Sequence, residues 1–438
     1  MNHKLKVYNT LTKSIETFVP VKDGHVSMYV CGPTVYNDIH IGNGRPVIFF
    51  DVVRRFLSEL GYQVTYASNI TDIDDKIIEK AKQEGMSESQ LSTKYYEAFQ
   101  TMVKALGSDL PDIVPKATDY VQHMISYIEA LIEKGYAYET TLGVYFRVHM
   151  IDTYGSLSHQ NRDALEQAVR IDLDPDKEHP NDFSIWKKST EGLHYASPWG
   201  NGRPGWHTEC AVMNHELFEG MIDIHGGGSD LMFPHHENER AQAIALDHHG
   251  LAKYWMHNAR LDVDQQKMSK SLGNVVLVKD LIDIEKQAFR LLILAHHYRQ
   301  PIQYSQVLLE QYMKHYVALS KKIRYTVLEL KALEVTSNQI DSAFKEDIIS
   351  AMCDDFHTPT VVTKIFELQK TLNKSHDLNE QANIINTFVW LLPIIGIQLD
   401  LHVDDDVNIY LAWQKARANK DFDLADTYRD QLMEKGYI

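Results

Sequence analysis

Apolar residues in the first 110 positions follow two different periods. Short runs at residues 6–8, 26–30 and 62–68 have the length and composition of β-strands. From about 43 to 60, apolar side chains recur at three- and four-residue steps, which predicts an amphipathic helix. Because strands alternate with helices here, we expect a parallel sheet whose ligands bind at the carboxyl ends of its strands.

The pattern changes twice further along the chain. Residues 111–205 contain a helix at about 118–135, a tyrosine-rich strand at 144–146 and long stretches rich in Asp, Pro and Gly, which together indicate an insertion. The alternating pattern returns between about 206 and 261. Beyond residue 302 the helical spacing of apolar positions continues almost without interruption. The predicted fold class is α/β, with a Rossmann-like parallel-sheet domain split by an insertion and followed by an all-helical bundle domain.

Composition narrows the cellular setting. The chain has no run of about 18 or more apolar residues and no apolar signal-peptide core at its start, so we expect a cytoplasmic protein without a membrane partner. Cys31, Cys210 and Cys353 lie far apart, which in a reducing compartment favours free thiols or metal ligands over disulfides. A net charge of −16 argues against indiscriminate binding of polyanions but allows a local basic face.

The stretch from Met28 to Asn43 has the pattern of a strand, a glycine turn and a helix start. A helix that begins near Gly42 offers free N–H groups and the positive end of its dipole to a phosphate, and Gly42 lets a ligand approach the backbone. Cys31 and His40 are expected on the same edge of the sheet. By itself the pattern occurs in many α/β proteins, so a purely structural role remains open.

A second candidate site combines histidine, glutamate and cysteine. His235 and Glu239 are four residues apart at the start of a predicted helix, which puts them on one face. Cys31 and Cys210 could complete a ligand set of the kind that zinc accepts in tetrahedral geometry. Two alternatives remain at this point: His236 competes with His235, and buried cysteines often serve only as small apolar side chains.

Two loops carry further candidate residues. Gly226, Gly227 and Gly228 follow a predicted strand and could lie flat against a planar ligand, with Asp230 placed to accept hydrogen bonds from ribose hydroxyls. The segment 267–271 carries two lysines, Lys267 and Lys270, among small hydroxyl residues and suits a clamp on a triphosphate. A plain turn and a solvated loop are the alternatives.

Taken together, the short motifs His40-Ile41-Gly42-Asn43 and Lys267-Met268-Ser269-Lys270-Ser271 resemble those of class I aminoacyl-tRNA synthetases in order and separation. Longer strings narrow the resemblance to the cysteinyl-tRNA synthetase family, and it extends through nearly the whole chain. These strings are Cys31-Gly-Pro-Thr-Val-Tyr, Asn69-Ile-Thr-Asp-Ile-Asp-Asp-Lys, Ser197-Pro-Trp-Gly, Gly202-Arg-Pro-Gly-Trp-His-Thr-Glu-Cys210 and Asp223-Ile-His-Gly-Gly-Gly-Ser-Asp-Leu-Met-Phe-Pro-His-His-Glu-Asn-Glu239.

The resemblance implies one zinc ion per chain, held by Cys31, Cys210, His235 and Glu239, that binds the thiol of L-cysteine. Zinc lowers the pKa of a thiol and coordinates the thiolate, whereas the hydroxyl of serine is a poorer ligand. The reaction implied is attack of the cysteine carboxylate on the α-phosphate of ATP, carried by magnesium, followed by transfer to tRNA(Cys). We expect a monomer.

The resemblance also implies the remaining site residues. They are Cys31, Gly32, Thr71 and Trp206 for the amino-acid pocket, His40, Gly42, Asn43, Gly226, Gly227, Asp230 and Lys270 for ATP, and His40, Asn43, Lys267 and Lys270 for catalysis. The implied segments are the first catalytic half at 1–110, a connective insertion at 111–205, the second half at 206–265, the lysine loop and stem-contact region at 266–305, and a helical tRNA-binding domain at 306–438.

Two departures from the family pattern leave alternatives. Asn43 stands where the family usually has a second histidine, and the chain stops at Ile438 where the family usually continues into a short tail. A ligase that passes activated cysteine to a small amine, as in the mycothiol pathway, would share the same catalytic core. A catalytically silent paralogue that only binds RNA or a partner is the third interpretation.

Overall fold

The computed structural model describes residues 4–160, 176–218, 220–263 and 275–438, and the backbone of residues 266 and 267. Its strands are β1 (Lys6–Asn9), β2 (Ser14–Thr17), β3 (His25–Val30), β4 (Gln63–Ala67), β5 (Ala137–Glu139), β6 (Gly143–Phe146), β7 (Phe183–Lys188), β8 (Gly202–Pro204), β9 (Ile222–Gly228), β10 (Ala252–Asn258), β11 (Leu261–Val263), β12 (Gln266–Lys267) and β13 (Ile302–Tyr304). Its α-helices are α1 (Ile41–Glu59), α2 (Asp75–Glu84), α3 (Glu88–Ala105), α4 (Val121–Glu133), α5 (Trp206–Leu217), α6 (Glu237–Asp247), α7 (Asp283–Leu294), α8 (Gln306–Ala332), α9 (Ser342–Cys353), α10 (Thr358–Lys374), α11 (Leu378–Ile394), α12 (Val407–Ala418) and α13 (Phe422–Glu434). Within the described ranges, no helix combines the length and the apolar character that a membrane span requires.

A parallel sheet with the strand order β10-β9-β3-β4 forms the centre of the first domain. β3 pairs with β4 through Val26 opposite Val64, and with β9 through Met28 opposite Ile224. The chain proceeds from β3 outward to β4, and from β9 outward to β10 on the other side. The strand order therefore reverses between β3 and β9, and ligands bind outside the carboxyl ends of strands at such a reversal. The predicted parallel sheet is confirmed.

An insertion separates the two halves of this sheet. Between β4 and β9 the chain forms α2 to α5 and a second, antiparallel sheet with the order β5-β6-β7-β8. Phe146 and Trp186 of this second sheet belong to the same apolar cluster as Val212 of α5 and Trp255 of β10. The insertion therefore shares its core with the second half of the parallel sheet.

Helix α1 lies between the parallel sheet and the helical part of the chain. Its apolar residues Phe49, Phe50 and Phe56 are buried, as the three- and four-residue spacing predicted. The ring of Phe49 stacks on Tyr298 at 4.3 Å between centroids and meets Phe356 edge-on. The same apolar cluster continues through α7 into α8, α10 and α11. The predicted C-terminal helical region is confirmed, and it shares a core with the sheet domain.

A buried ion pair joins these parts. Arg290 of α7 and Asp51 of α1 are both almost fully buried and form a charged hydrogen bond. Arg290 also donates to the carbonyl oxygens of Leu106 and Ile395 and to Ser108 Oγ. One guanidinium thereby connects α1, the end of α3 and the end of α11.

We expect Asp51→Ala to lower the free energy of unfolding by about 3–5 kcal/mol, because it leaves the Arg290 charge buried without its carboxylate. Urea denaturation measures the change. Glu59→Ala is the control, since Glu59 pairs with Lys345 near the surface and such pairs contribute only about 0–1 kcal/mol. Equal losses of unfolding free energy in the two variants would mean that the buried ion pair stabilises the fold no more than the surface pair does.

Candidate active site

A cavity of about 490 Å³ opens where the strand order reverses. Its walls come from the ends of β3, β9 and β10 and from the start of α1. The lining includes Cys31, Gly32, His40, Gly42, Asn43 and Asp230. Residues from both halves of the sheet therefore meet around one space, although the insertion separates them in the sequence.

The start of α1 is closed by a reciprocal pair of hydrogen bonds. His40 is the N-cap residue, and its Nδ1 accepts a hydrogen bond from the backbone N–H of Asn43 at 3.3 Å. The side-chain oxygen of Asn43 in turn accepts from the backbone N–H of His40 at 3.3 Å. This is a capping box. Asn43, which departs from the usual histidine of the family, is thus well suited to stabilise the helix start.

The glycines at the end of β9 have a packing reason that the sequence pattern did not predict. A Cβ on Gly226 would collide with the ring of Phe50 from α1, and a Cβ on Gly227 would press on His236 and Leu231. Both glycines are buried. The part of this loop that lines the cavity is the next stretch, 228–231, and Asp230 lies exposed at its mouth.

Beside the cavity, four potential metal ligands converge. One ligand atom from each of Cys31, Cys210, His235 and Glu239 lies within 4.8 Å of the other three. The two sulfurs are 3.6 Å apart, Cys31 Sγ is 3.4 Å from Glu239 Oε1, and His235 Nε2 is 3.0 Å from the same oxygen. A tetrahedral ion with bonds of about 2.0–2.3 Å requires ligand separations of about 3.3–3.8 Å. The donor types fit zinc, and so do the two distances from Cys31 Sγ, whereas the 3.0 Å distance between His235 and Glu239 would have to lengthen by about 0.3 Å.

A second set overlaps the first. Cys31 and Glu239 also lie within 4.8 Å of one nitrogen each of His225 and His236. His225 Nε2 is 3.6 Å from Cys31 Sγ and 3.1 Å from Glu239 Oε2. His236 is oriented by His257 through a 2.8 Å hydrogen bond. Two overlapping sets of four side chains are therefore close enough to bind one ion.

Burial and mutual contact set the protonation of this cluster. Burial lowers the pKa of His207 and of His257 to about 3, which keeps both imidazoles neutral. Burial is the largest single effect on Cys210 and opposes its ionisation, but the hydrogen bonds from Cys31 and His235 together lower the pKa of Cys210 to about 6. Burial is also the largest single effect on His235 and opposes its charge, yet Glu239 and Cys210 together raise its pKa to about 10.

The residues expected to close the amino-acid pocket lie around this cluster. Trp206 is 41% exposed and stacks on His235 at 4.1 Å between ring centroids. Thr71 is buried and donates a hydrogen bond to Glu209 at 2.7 Å. Gly32 donates its N–H to Asn69 Oδ1 at 2.8 Å, and its missing side chain lets the Asn69 carbonyl approach closely.

The loop lysines fall at the edge of what the structure describes. Lys267 lies in β12, where its backbone pairs with Asp262 of β11, and Lys270 lies outside the described residues. The described chain resumes at residue 275, and Val276 accepts a hydrogen bond from the N–H of Ile41 at 2.9 Å. The described residues before this segment thus pair with β11, and those after it lie beside the start of α1.

Several site residues were not found from the sequence. His207 contacts His235 at 3.0 Å between Nδ1 atoms, and His225 and His257 belong to the surroundings of the candidate metal cluster. Asn69 accepts a hydrogen bond from Gly32, and Asn258 lines the cavity. Only tertiary contacts distinguish these residues from other buried polar residues.

Comparisons with known proteins agree with this architecture. Residues 17–314 match the family model described as the tRNA synthetases class I (C) catalytic domain, and residues 347–399 match the DALR domain. The chain is 49% identical over 437 residues to the Cysteine--tRNA ligase of Acholeplasma laidlawii (strain PG-8A), covering 99% of this chain and 100% of that one. It is 44% identical to the Cysteine--tRNA ligase of Onion yellows phytoplasma (strain OY-M), with the same coverage.

Solved structures share the fold at low identity. Methionyl-tRNA synthetase of Mycobacterium tuberculosis in complex with methionyl-adenylate aligns with a TM-score of 0.61 and 16% identity, covering 85% of this chain and 90% of that one. The ternary LeuRS-tRNA-LeuAMS complex from Agrobacterium radiobacter K84 aligns with a TM-score of 0.65 and 11% identity, covering 86% and 85%. These likenesses bear on the fold alone.

The split parallel sheet and the helix start beside its cavity define a class I aminoacyl-tRNA synthetase. Two full-length relatives carry the name of the cysteine enzyme, which is a tRNA ligase rather than a small-amine ligase. The chain belongs to the cysteine--tRNA ligase family, as the resemblance of its motifs predicted.

We expect Gly226→Ala to lower the free energy of unfolding by about 1–3 kcal/mol, because the added methyl group overpacks against Phe50. Urea denaturation of this variant, of Phe50→Leu and of the double variant tests the contact. If the contact explains the glycine, the double variant is more stable than the sum of the single losses predicts. Strictly additive losses would contradict it.

Proposed function

We propose that this chain activates L-cysteine with ATP, transfers it to tRNA(Cys), and recognises the cysteine through a zinc ion held by Cys31, Cys210, His235 and Glu239. The observation that carries the proposal is the convergence of these four donors beside a cavity built by both halves of the sheet. Membership of the cysteine--tRNA ligase family supports the reaction.

Of the two overlapping sets, the one with both cysteines is the better zinc site. Thiolates are among the ligands that zinc binds most readily, and this set contains two of them. His235 is held by His207 and stacked on Trp206, so its ring is oriented before an ion arrives. When bound, zinc supplies a soft electrophile that coordinates the thiolate of cysteine and leaves the hydroxyl of serine poorly bound. Specificity of this kind makes a separate editing site unnecessary.

The chain's own residues then position the reacting groups. His40 and Asn43 hold the start of α1 so that the backbone at Gly42 and the positive end of the helix dipole face the phosphates of ATP. Lys267 and Lys270 are assigned to the β- and γ-phosphates, where charge develops as pyrophosphate leaves. Magnesium accompanies the ATP. The reaction depends on alignment and charge stabilisation, because no covalent nucleophile is required.

The nucleoside is assigned to the far end of the cavity. Asp230 is exposed at the mouth and can accept hydrogen bonds from the ribose hydroxyls. The motif resemblance assigns Gly226 and Gly227 to ATP. They would contribute indirectly, by holding residues 228–231 in position against the nucleotide. The helical region from α8 onward, which contains the match to the DALR domain, is assigned to the body of the tRNA.

We expect Cys210→Ser to remove most of the zinc that copurifies with the chain and to erase the preference for cysteine over serine in pyrophosphate exchange. The physical reason is the loss of one of the two thiolate ligands. Elemental analysis and exchange rates with each amino acid measure the two effects.

His225→Ala is the matched control for this experiment, since His225 belongs only to the second ligand set. It should retain zinc. Loss of zinc in His225→Ala with retention in Cys210→Ser would assign the ion to the other set. Zinc loss with full discrimination would mean that the metal does not recognise the thiol.

We expect Lys270→Ala to slow adenylate formation at least ~10²-fold with cysteine binding nearly unchanged, because it removes a charge contact made in the transition state. Pre-steady-state adenylate formation and cysteine titration measure the two quantities. Lys279→Ala is the control: Lys279 lies near the same loop but pairs with Asp38, and its loss should change the rate only a few-fold. An unchanged rate in Lys270→Ala would refute the assignment.

A further inference from the structure

Among the described residues, one buried amide at the cavity has no hydrogen-bond partner for its oxygen. Asn258 is the last residue of β10, is 3% exposed and contributes to the lining of the cavity. No group in the described part of the chain donates a hydrogen bond to its Oδ1. Buried side-chain acceptors are nearly always paired, so an unpaired one beside a ligand cavity indicates a partner that arrives with the ligand.

The amide nitrogen of Asn258 is also weakly engaged. Its one hydrogen bond goes to the carbonyl of Ala259 at 3.4 Å, and that carbonyl already accepts a 2.6 Å hydrogen bond from Arg45. The backbone of Asn258 is fixed, since its carbonyl accepts from the N–H of Ser229 at 2.8 Å. The side chain can therefore rotate about its terminal bond at little cost while the backbone holds its place.

The position of Asn258 identifies which part of the substrate it meets. Cys31 follows β3, and β10 lies two strands away from β3, a distance of about 10 Å at ordinary strand spacing. The start of α1, assigned to the phosphates, lines the same cavity. A nucleotide with its phosphates there and cysteine at the metal end puts its nucleoside at the Asn258 end. Asp230 at the mouth suits the ribose, which leaves the deeper amide for the base.

We propose that Asn258 is a specificity-determining residue that recognises the adenine base, with its Oδ1 accepting a hydrogen bond from the 6-amino group of ATP. An asparagine amide matches adenine because it offers an acceptor for the amino group and a donor for a neighbouring ring nitrogen. A purine with a 6-oxo group would place its oxygen against Oδ1, where two acceptors repel. The side chain thereby selects ATP over guanine and hypoxanthine nucleotides. The inference rests on the proposed function, which puts ATP in this cavity.

The test combines a change in the protein with a change in the nucleotide. Cysteine-dependent pyrophosphate exchange is measured with ATP and with purine riboside triphosphate, which lacks the 6-amino group, for the wild-type chain and for Asn258→Leu. In the wild type, loss of the amino group should lower kcat/KM about 10-fold, as expected for one hydrogen bond to a buried acceptor. In Asn258→Leu, ATP should be used about 10-fold less well, and the analogue should be used no worse than ATP. The KM for cysteine should stay unchanged.

Gln381→Leu is the matched control. Gln381 is a buried amide in α11 whose oxygen also lacks a partner among the described residues, and it lies far from the cavity lining. This variant should retain the full penalty for the missing amino group. Asn258→Ser repeats the test with a smaller change if the leucine variant folds poorly.

If the analogue remains about 10-fold worse than ATP in the Asn258 variants, the losses of kcat/KM from the two changes add. That result would overturn the inference. A wild-type chain that uses both nucleotides equally would overturn it as well. Neither result touches the assignment of cysteine activation, whereas a wild-type chain with no exchange at all would contradict the proposed function itself.

Discussion

The parallel pairing of β3 with β9 is the contact on which the rest of the molecule depends. Ser27 and Asp223 are 196 positions apart, yet Asp223 Oδ2 accepts hydrogen bonds from the backbone N–H of Ser27 at 2.8 Å and from its hydroxyl at 2.9 Å. This buried carboxylate fixes the register in which Met28 lies opposite Ile224. A slip of one residue would turn every side chain to the other face of the sheet. The four proposed metal ligands and the cavity beside them meet only because this register is kept.

A second constraint is the position of α1. It is fixed by apolar packing and by the buried guanidinium of Arg45, which binds backbone carbonyls. Arg45 is almost fully buried and donates to the backbone carbonyls of Ala259, Arg260, His297, Tyr298 and Gln300. Burial lowers the pKa of Arg45 to about 10, so it remains charged at neutral pH. Its guanidinium therefore fixes the start of α1 relative to the end of β10 and the loop before β13.

The metal cluster illustrates how burial and polarity oppose each other in one site. Desolvation works against a charge on Cys210, His235 and Glu239, while contacts with one another and with Cys31 and His225 shift the pKa of each group toward its charged form. Each charge in such a buried cluster depends on its neighbours. The proposed zinc ion would bind four of these donors and so compensate the cost of burying them.

The sequence by itself determined the element types, the parallel sheet with its insertion, the helical C-terminal region and, through motif resemblance, the family. These follow from local periodicity and from short motifs that can be identified in the sequence alone. Only the tertiary structure decided that Gly226 is required by Phe50, that Asn43 takes part in capping its own helix, and that no described group donates to Asn258 Oδ1. It also revealed a second histidine set around Cys31 and Glu239, where spacing had named His236 merely as a rival of His235. Such facts arise from contacts between residues far apart in the chain, and local sequence carries no record of which distant atoms will touch.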